Sequence, residues 1–387
     1  MLTKNIRLVR YGASGNKKKI RTKVLNNLNR HLKGKLVQSF SKDYKYNFNN
    51  LNVKNLRKYN NYNIFGMGGS SLGAKAIYQF MKPKVKKDFL FLDNLNSRKN
   101  LKKIKTKTLN IIISKSGNTL ETISNFSALG GRKNNIFICE NNNNYIRHLA
   151  KKLGCFIINH ENYIGGRYSV LSEVGMLPAI LMGLKPQKFK NLKNLIKNQN
   201  FINSLVDSVA STIFFLKNKR YNSIVLNYDE LSQELFLWYQ QLIAESLGKK
   251  SRGILPVISN MPKDNHSLMQ LYLDGPKNSF FTFFNVVDHD NTKINNSKLL
   301  STHKYLKNKN LYQIKYAQKV ATENIFKKKD IPFRSFNVLR RSEESLGELF
   351  TFFMLETILL GETIKVNPFD QPSVELIKKE TNKILKN

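Results

Sequence analysis

The chain of 387 residues carries 65 lysines and arginines against 26 aspartates and glutamates, a formal net charge of +39, with 41% apolar and 11% aromatic residues. That length exceeds one ordinary domain and predicts two, and the apolar content suffices for sizeable cores. No apolar run reaches the roughly 18 residues of a membrane-spanning helix, which excludes a membrane partner, and Met1–Arg7 is basic without the apolar core of a signal peptide, so the expected location is cytoplasmic. The cations are spread along the whole chain (Lys17–Lys19, Lys102–Lys103, Lys151–Lys152, Lys327–Lys329) and interleaved with asparagine. Charge so dispersed coats solvated faces, and nucleic acid is not expected as a partner. Cys139 and Cys155, each within an apolar run, read as small buried hydrophobes.

From Tyr62 onward, strand-like runs alternate with amphipathic helices, the pattern of a parallel α/β sheet. Asn63–Phe65 leads through a glycine turn to a helix from Leu72; Phe89–Leu92 leads to a Lys-rich helix; Leu109–Ile113 leads to a helix ending at Ala128. Asn135–Cys139 and Cys155–Ile158 are two further strands, completing a first domain over 50–165. A helical block from Val170 to Met182 opens a second domain over 166–365. It has strands at Ser223–Leu226, Gly253–Ile258 and Phe280–Val287, helices at Leu231–Leu247 and His266–Leu273, and further helices near 310–327 and 342–361. A tail over 366–387 ends in a helix from Val374. The Asn/Lys-rich segments near 43–61, 186–200 and 291–310 read as linkers or surface excursions.

Five blocks carry chemistry. Gly66-Met67-Gly68-Gly69-Ser70-Ser71-Leu72-Gly73 joins a strand to a helix, where clustered glycines let backbone N–H groups approach an anion; a plain tight turn is the competing reading. It lacks the P-loop spacing, and Asp93 is the acid at a permissible distance for a dinucleotide fingerprint. Ser114-Lys115-Ser116-Gly117-Asn118-Thr119-Leu120-Glu121-Thr122 repeats the geometry with hydroxyls, and capping explains one or two of the four. In Gly165-Gly166-Arg167-Tyr168-Ser169, Arg167 is able to face inward and stabilise a developing oxyanion, although spacing alone favours a surface ion pair. Glu245 and His266 place a lone carboxylate and a lone imidazole about twenty residues apart, groups suited to proton transfer and equally to a helix surface and a cap. Asn367-Pro368-Phe369-Asp370-Gln371-Pro372 precedes a basic helix in which Lys378 and Lys379 are alternatives for a mobile cation.

Taken in order, these blocks resemble the glucose-6-phosphate isomerase (phosphoglucose isomerase) family over roughly 60–380, and the Ser114 block resembles the phosphate loop of sugar-isomerase (SIS) domains. The resemblance implies two SIS-type doubly wound parallel-sheet domains with a helical C-terminal extension, and no metal or other cofactor. It implies a sugar-phosphate substrate held by Ser70, Ser114, Lys115, Ser116, Thr119 and Gln371. Glu245 falls on the family's base, Arg167 on its enediolate-stabilising arginine, and His266 and Lys378 on its ring-opening residues, with Ile377 where the family usually has glycine. It also implies a homodimer in which His266 is donated across the interface, and a reaction interconverting D-glucose 6-phosphate and D-fructose 6-phosphate in glycolysis and gluconeogenesis. Two alternatives are an isomerase that also accepts mannose 6-phosphate and a non-catalytic sugar-phosphate sensor. The joint presence of Glu245, Arg167 and His266 weighs against the sensor.

Overall fold

The computed structural model describes residues 1–12, 17–49, 51–95, 107–287 and 292–386. Among the described residues ten strands form two sheets: β1 (Ile6–Val9), β2 (Asn61–Phe65), β3 (Asp88–Leu92), β4 (Thr108–Ile113), β5 (Asn135–Glu140), β6 (Phe156–His160), β7 (Asn222–Asn227), β8 (Leu255–Asn260), β9 (Ser279–Val286) and β10 (Phe333–Val338). The first sheet runs β3-β2-β4-β5-β6 and is wholly parallel. The second runs β1-β10-β9-β7-β8 and is parallel except for β1, which lies antiparallel to β10. The Lys-rich helix expected after Leu92 falls on residues 96–106, outside the described residues.

Strands buried on both faces read as near-continuous apolar runs, and every residue of β4, Thr-Leu-Asn-Ile-Ile-Ile, is buried. Its asparagine is accommodated by a ladder. Asn63 donates to Asn110 at 2.9 Å, Asn110 to Asn135 at 2.9 Å, and Asn135 to the Gly131 carbonyl at 2.8 Å, across three neighbouring strands. Each bond spares a buried amide the 1–3 kcal/mol or so of an unmet polar group.

The second domain is organised around the helix Glu343–Thr363, in which every residue from Ser345 to Gly361 is buried. A helix apolar all round belongs inside a protein. Its hydroxyls bond back one turn, Thr351 to the Gly347 carbonyl and Thr357 to that of Phe353, and its N-terminus is closed by a capping box between Ser342 and Ser345. Against it pack the helix Gln199–Lys217, β10 and the helix Gln233–Leu247, with Trp238 edge-on to Phe350 at 4.8 Å between ring centroids. Glu356 on this helix pairs with the guanidinium of Arg334 on β10, whose Nε donates to Thr282 at 3.0 Å.

Several elements depart from the sequence reading. Strand β1 precedes residue 50 yet belongs to the second sheet, and β10 and the helices Lys18–His31, Tyr145–Lys152 and Gln199–Lys217 were not expected. The segment 186–200 is no linker: it forms helices at Pro186–Phe189 and Leu192–Lys197 and buries Phe189, Lys190, Leu192 and Leu195. The helix expected from His266 begins at Met269, after a 3-10 turn at Lys263–His266 in which Asp264 accepts from the Asn260 N–H at 2.7 Å. Cys139 is buried and Cys155 partly so, both with free thiols. No helix among the described residues is long and apolar enough to cross a membrane.

Lys190 donates to the Ser39 carbonyl at 2.9 Å and lies 4.2 and 4.4 Å from the ring centroids of Tyr44 and Tyr46. Burial pushes its pKa down to about 7 from 10.5, against the opposing pull of Glu173. Between those two values the unfolded chain holds one proton more than the folded one, so this group makes stability rise with pH through that window. Lys190→Met removes the dependence. Followed by thermal melts, the variant should gain on the native protein as pH falls from 10 to 7 and gain no further below 7; a gap unchanged between pH 7 and 10 would contradict this.

Candidate active site

In the first sheet the chain passes from β2 outward to β3 and then back across to β4. The strand order therefore reverses between β2 and β4, and at such a switch point the loops at the strand C-termini diverge and leave a crevice. Both anion-loop candidates lie there. Gly66–Gly73 follows β2 and Ser114–Thr122 follows β4, and the first lies against the end of β4: a Cβ at Gly66 would sit 3.2 Å from the Ile113 carbonyl oxygen.

In the second loop the Ser114 and Thr119 hydroxyls are 2.9 Å apart, while the exposed Ser116 hydroxyl accepts from the Asn118 N–H at 3.3 Å. Gly117 has φ +68°, and a Cβ there would fall 1.9 Å from Asn144 Oδ1, so the turn requires glycine. Lys115 faces away toward β5 and beyond, 3.5 Å from the Glu140 carboxylate and donating to the Asn162 carbonyl at 3.0 Å. Ser70 ends a 3-10 turn, Gly68–Ser70, and is half-buried. Asp93, the dinucleotide-type acid of the sequence, is paired with Lys75 at 3.0 Å on the helix after the glycine loop.

The glycine loop also carries the first sheet to the arginine segment. A Cβ at Gly69 would lie 2.2 Å from the Gly166 carbonyl carbon, and only two bare backbones approach so closely. Ser169 fixes the contact by donating to the Gly166 carbonyl at 2.7 Å and to that of Gly69 at 3.3 Å. On this support Arg167 is only 2% exposed. Its Nε donates to Ser246 at 2.7 Å; one terminal nitrogen meets the carbonyls of Pro368 and Asp370 at 2.7 and 2.9 Å. The other meets Gln371 Oε1 at 2.9 Å and Glu245 Oε1 at 3.0 Å. Four of these are hydrogen bonds donated by the guanidinium, and the fifth, to Glu245, is an ion pair. The surface ion pair favoured by spacing alone is thus corrected: the arginine is interior, and its carboxylate partner is the proposed base.

Glu245 lies in the last turn of the helix Gln233–Leu247, and its side chain is 20% exposed. Its Oε2 accepts from Gln241 at 2.8 Å. Arg167, Glu245 and Gln371 therefore converge, alongside the glycine loop. His266 and Lys378 do not join them. His266 is exposed in its 3-10 turn, and Lys378 is exposed on the helix Pro372–Ile384 and paired with Glu375 at 2.7 Å. Among the described residues no hydrogen bond or ion pair links His266, Lys378 or Lys379 to Glu245 or Arg167.

Three participants carried no role in the sequence reading. Gln241 stands one helical turn before Glu245 and lies against the glycine loop, a Cβ at Gly68 falling 2.8 Å from its Nε2. The i, i+4 spacing of Gln and Glu on one helix was the available signal. Ser246 receives the Arg167 Nε and shares a 3.0 Å hydrogen bond with the Tyr168 hydroxyl. Lys249 pairs with Asp370 at 2.8 Å and holds its carboxyl below the usual carboxylate range, anchoring the C-terminal segment beside Arg167.

Two sheets that are parallel but for β1, a hydroxyl-lined loop at the switch point of the first, and a partly exposed carboxylate paired with a buried arginine define a protein of the SIS-type sugar-phosphate class. The phosphoglucose isomerase family model matches residues 52–387, and the chain belongs to that family. It is similar to the glucose-6-phosphate isomerase of Methanocaldococcus jannaschii, 31% identical over 367 residues covering 89% of each chain. It is also similar to that of Mycoplasmopsis pulmonis, 33% identical over 350 residues covering 83% of this chain and 82% of the other. In fold it matches a hypothetical protein of Thermus thermophilus, with a TM-score of 0.80 at 24% identity over 96% of this chain and 95% of that one.

Proposed function

We propose that the chain interconverts D-glucose 6-phosphate and D-fructose 6-phosphate through a cis-enediolate, serving glycolysis and gluconeogenesis in the cytoplasm. The observation that carries this reading is the 3.0 Å contact between the Glu245 carboxylate and the buried Arg167 guanidinium, on a segment packed against the glycine loop at the switch point that also carries the Ser114–Thr119 loop. A sugar whose phosphate occupies that loop is bound by Ser114, Ser116 and Thr119. Gln371 spends its carbonyl on Arg167 and turns its amide nitrogen to the substrate, while Ser70 reaches a sugar hydroxyl. Glu245 takes the proton from C2 and returns it to C1 on the same face, and the charge forming on oxygen is met by Arg167. Both groups on one terminal nitrogen of Arg167 are side chains, Glu245 and Gln371, so that nitrogen can change partner while the other contacts hold the guanidinium still. Lys115 would reach the phosphate only on leaving Glu140 and the Asn162 carbonyl.

His266 and Lys378 are assigned to ring opening, His266 from the second subunit of a homodimer. Its exposure supports that assignment. So does the helix Pro372–Ile384, which buries none of its residues and leaves Leu376, Ile377 and Ile384 in water for a partner to cover.

The decisive experiment is incubation with glucose 6-phosphate in deuterated water, following fructose 6-phosphate by NMR. Product with solvent deuterium at the transferred position is the expected result. Binding of the sugar phosphate without turnover would replace the isomerase with a sensor.

A further inference from the structure

We propose that the cavity between the end of β1, the helix Lys18–His31 and the helix Gln199–Lys217 is a second anion site, one that takes a polyphosphate. The cavity holds about 600 Å³, within the usual few-hundred to thousand Å³ of small-molecule sites. Among the described residues, four cations line it, Arg10, Lys17, Lys18 and Arg21, with a single carboxylate, Asp207, a formal excess of three positive charges.

Arg10 donates to Asp207 Oδ2 at 2.6 Å and to the Ser204 hydroxyl at 3.1 Å, and Arg21 meets the other oxygen of Asp207. Both arginine side chains remain 40% exposed. Two planar forks fixed by one carboxylate are thereby aimed, with further N–H groups left to present, and such forks match phosphate oxygens two at a time. Lys17 donates to Ser211 at 3.0 Å on the same wall. Its pKa is lowered by burial and by Arg21, a sign that these cations crowd one another. Leu25, Ile202 and Val206 supply an apolar floor, which thins the water around the charges and strengthens them.

A purely structural use of these residues, bolting β1 and the first helix to the long helix through Asp207, needs one arginine per carboxylate. It does not need a second arginine and two lysines in the same concavity. The chain's basic drift runs to lysine, so a pair of arginines on one aspartate is also not an accident of composition. A polyphosphate carrying roughly three to four negative charges offsets the excess, whereas the one and a half to two or so of a sugar monophosphate do not. An inorganic polyphosphate and a nucleoside triphosphate share the required chemistry.

The test is calorimetric titration of inorganic triphosphate, and separately of ATP, into the full-length protein at about 0.15 M salt with glucose 6-phosphate present. One equivalent per chain is expected, weakened at least tenfold by the pair Lys17→Gln with Arg21→Gln. Lys17→Gln alone leaves both arginines on Asp207 and should weaken binding severalfold even if the double variant does not fold. ATP binding more tightly than triphosphate assigns the apolar floor to a base; equal affinities assign the site to phosphates alone. Binding of many equivalents, indifference to both variants, or no binding overturns the proposal.

Discussion

Replacing Glu245 with glutamine should lower kcat by about 10²–10⁴-fold, the usual contribution of a positioned general base, while the KM for glucose 6-phosphate changes little. The amide keeps the size of the carboxylate and can still accept from Arg167 through its oxygen, so the crevice retains its shape. What it loses is the ability to take a proton. Deuterium exchange at C1 of fructose 6-phosphate should fall in parallel with turnover, because both pass through the same abstraction. Normal exchange in the variant would remove Glu245 from the chemistry. Exchange lost together with a large rise in KM would instead mark it as a binding group.

The largest effect on stability is expected at Arg334 and Glu356, which are 2% and 1% exposed. Burial alone would draw the arginine's pKa down, and the Glu356 carboxylate overrides it and holds the guanidinium firmly charged. The rings of Tyr11 and Phe336 lie 5.2 Å from the guanidinium carbon and add to the same preference. Glu356→Gln leaves that charge buried without its counter-ion and should cost about 3–5 kcal/mol, a drop in Tm on the order of 10 °C for a chain of this size. The pair Arg334→Met with Glu356→Leu should recover most of it, since replacing both partners by apolar groups is close to neutral. Chemical denaturation distinguishes the cases. A single substitution costing under about 1 kcal/mol would mean that solvent reaches the guanidinium.

The same pair shows why part of the fold was not legible in the sequence. Phe333-Arg334-Ser335-Phe336-Asn337-Val338 places an arginine, a serine and an asparagine in a central strand, and only the distant Glu356 makes the arginine tolerable there. Lys190 likewise sits in an Asn/Lys-rich stretch that reads as surface, and it is the ring faces of Tyr44 and Tyr46 that allow its burial. The parallel strands of the first domain were legible because β2, β4 and β5 are locally apolar and end in glycine or hydroxyl turns. At the site, spacing identified the loops and Glu245 as candidates. It could not orient Arg167, whose interior position depends on carbonyls some two hundred residues later in the chain. Gln241 was visible as a neighbour of Glu245, but its contact with the glycine loop is a product of domain packing.

The pairing of β1 with β10, Ile6 opposite Val338, also governs the order in which the molecule can be assembled. During synthesis, all five strands of the first sheet have emerged by His160 and can close on one another while the rest of the chain is still being made. The second sheet has no such autonomy. Its first-made strand must wait, unpaired and carrying exposed backbone donors, until nearly the whole polypeptide exists. Arg167 waits longer still for the carbonyls of Pro368 and Asp370. A truncated or stalled chain therefore holds the first sheet and its Ser114–Thr119 loop complete, while the proposed reaction centre around Arg167 still lacks its last partners.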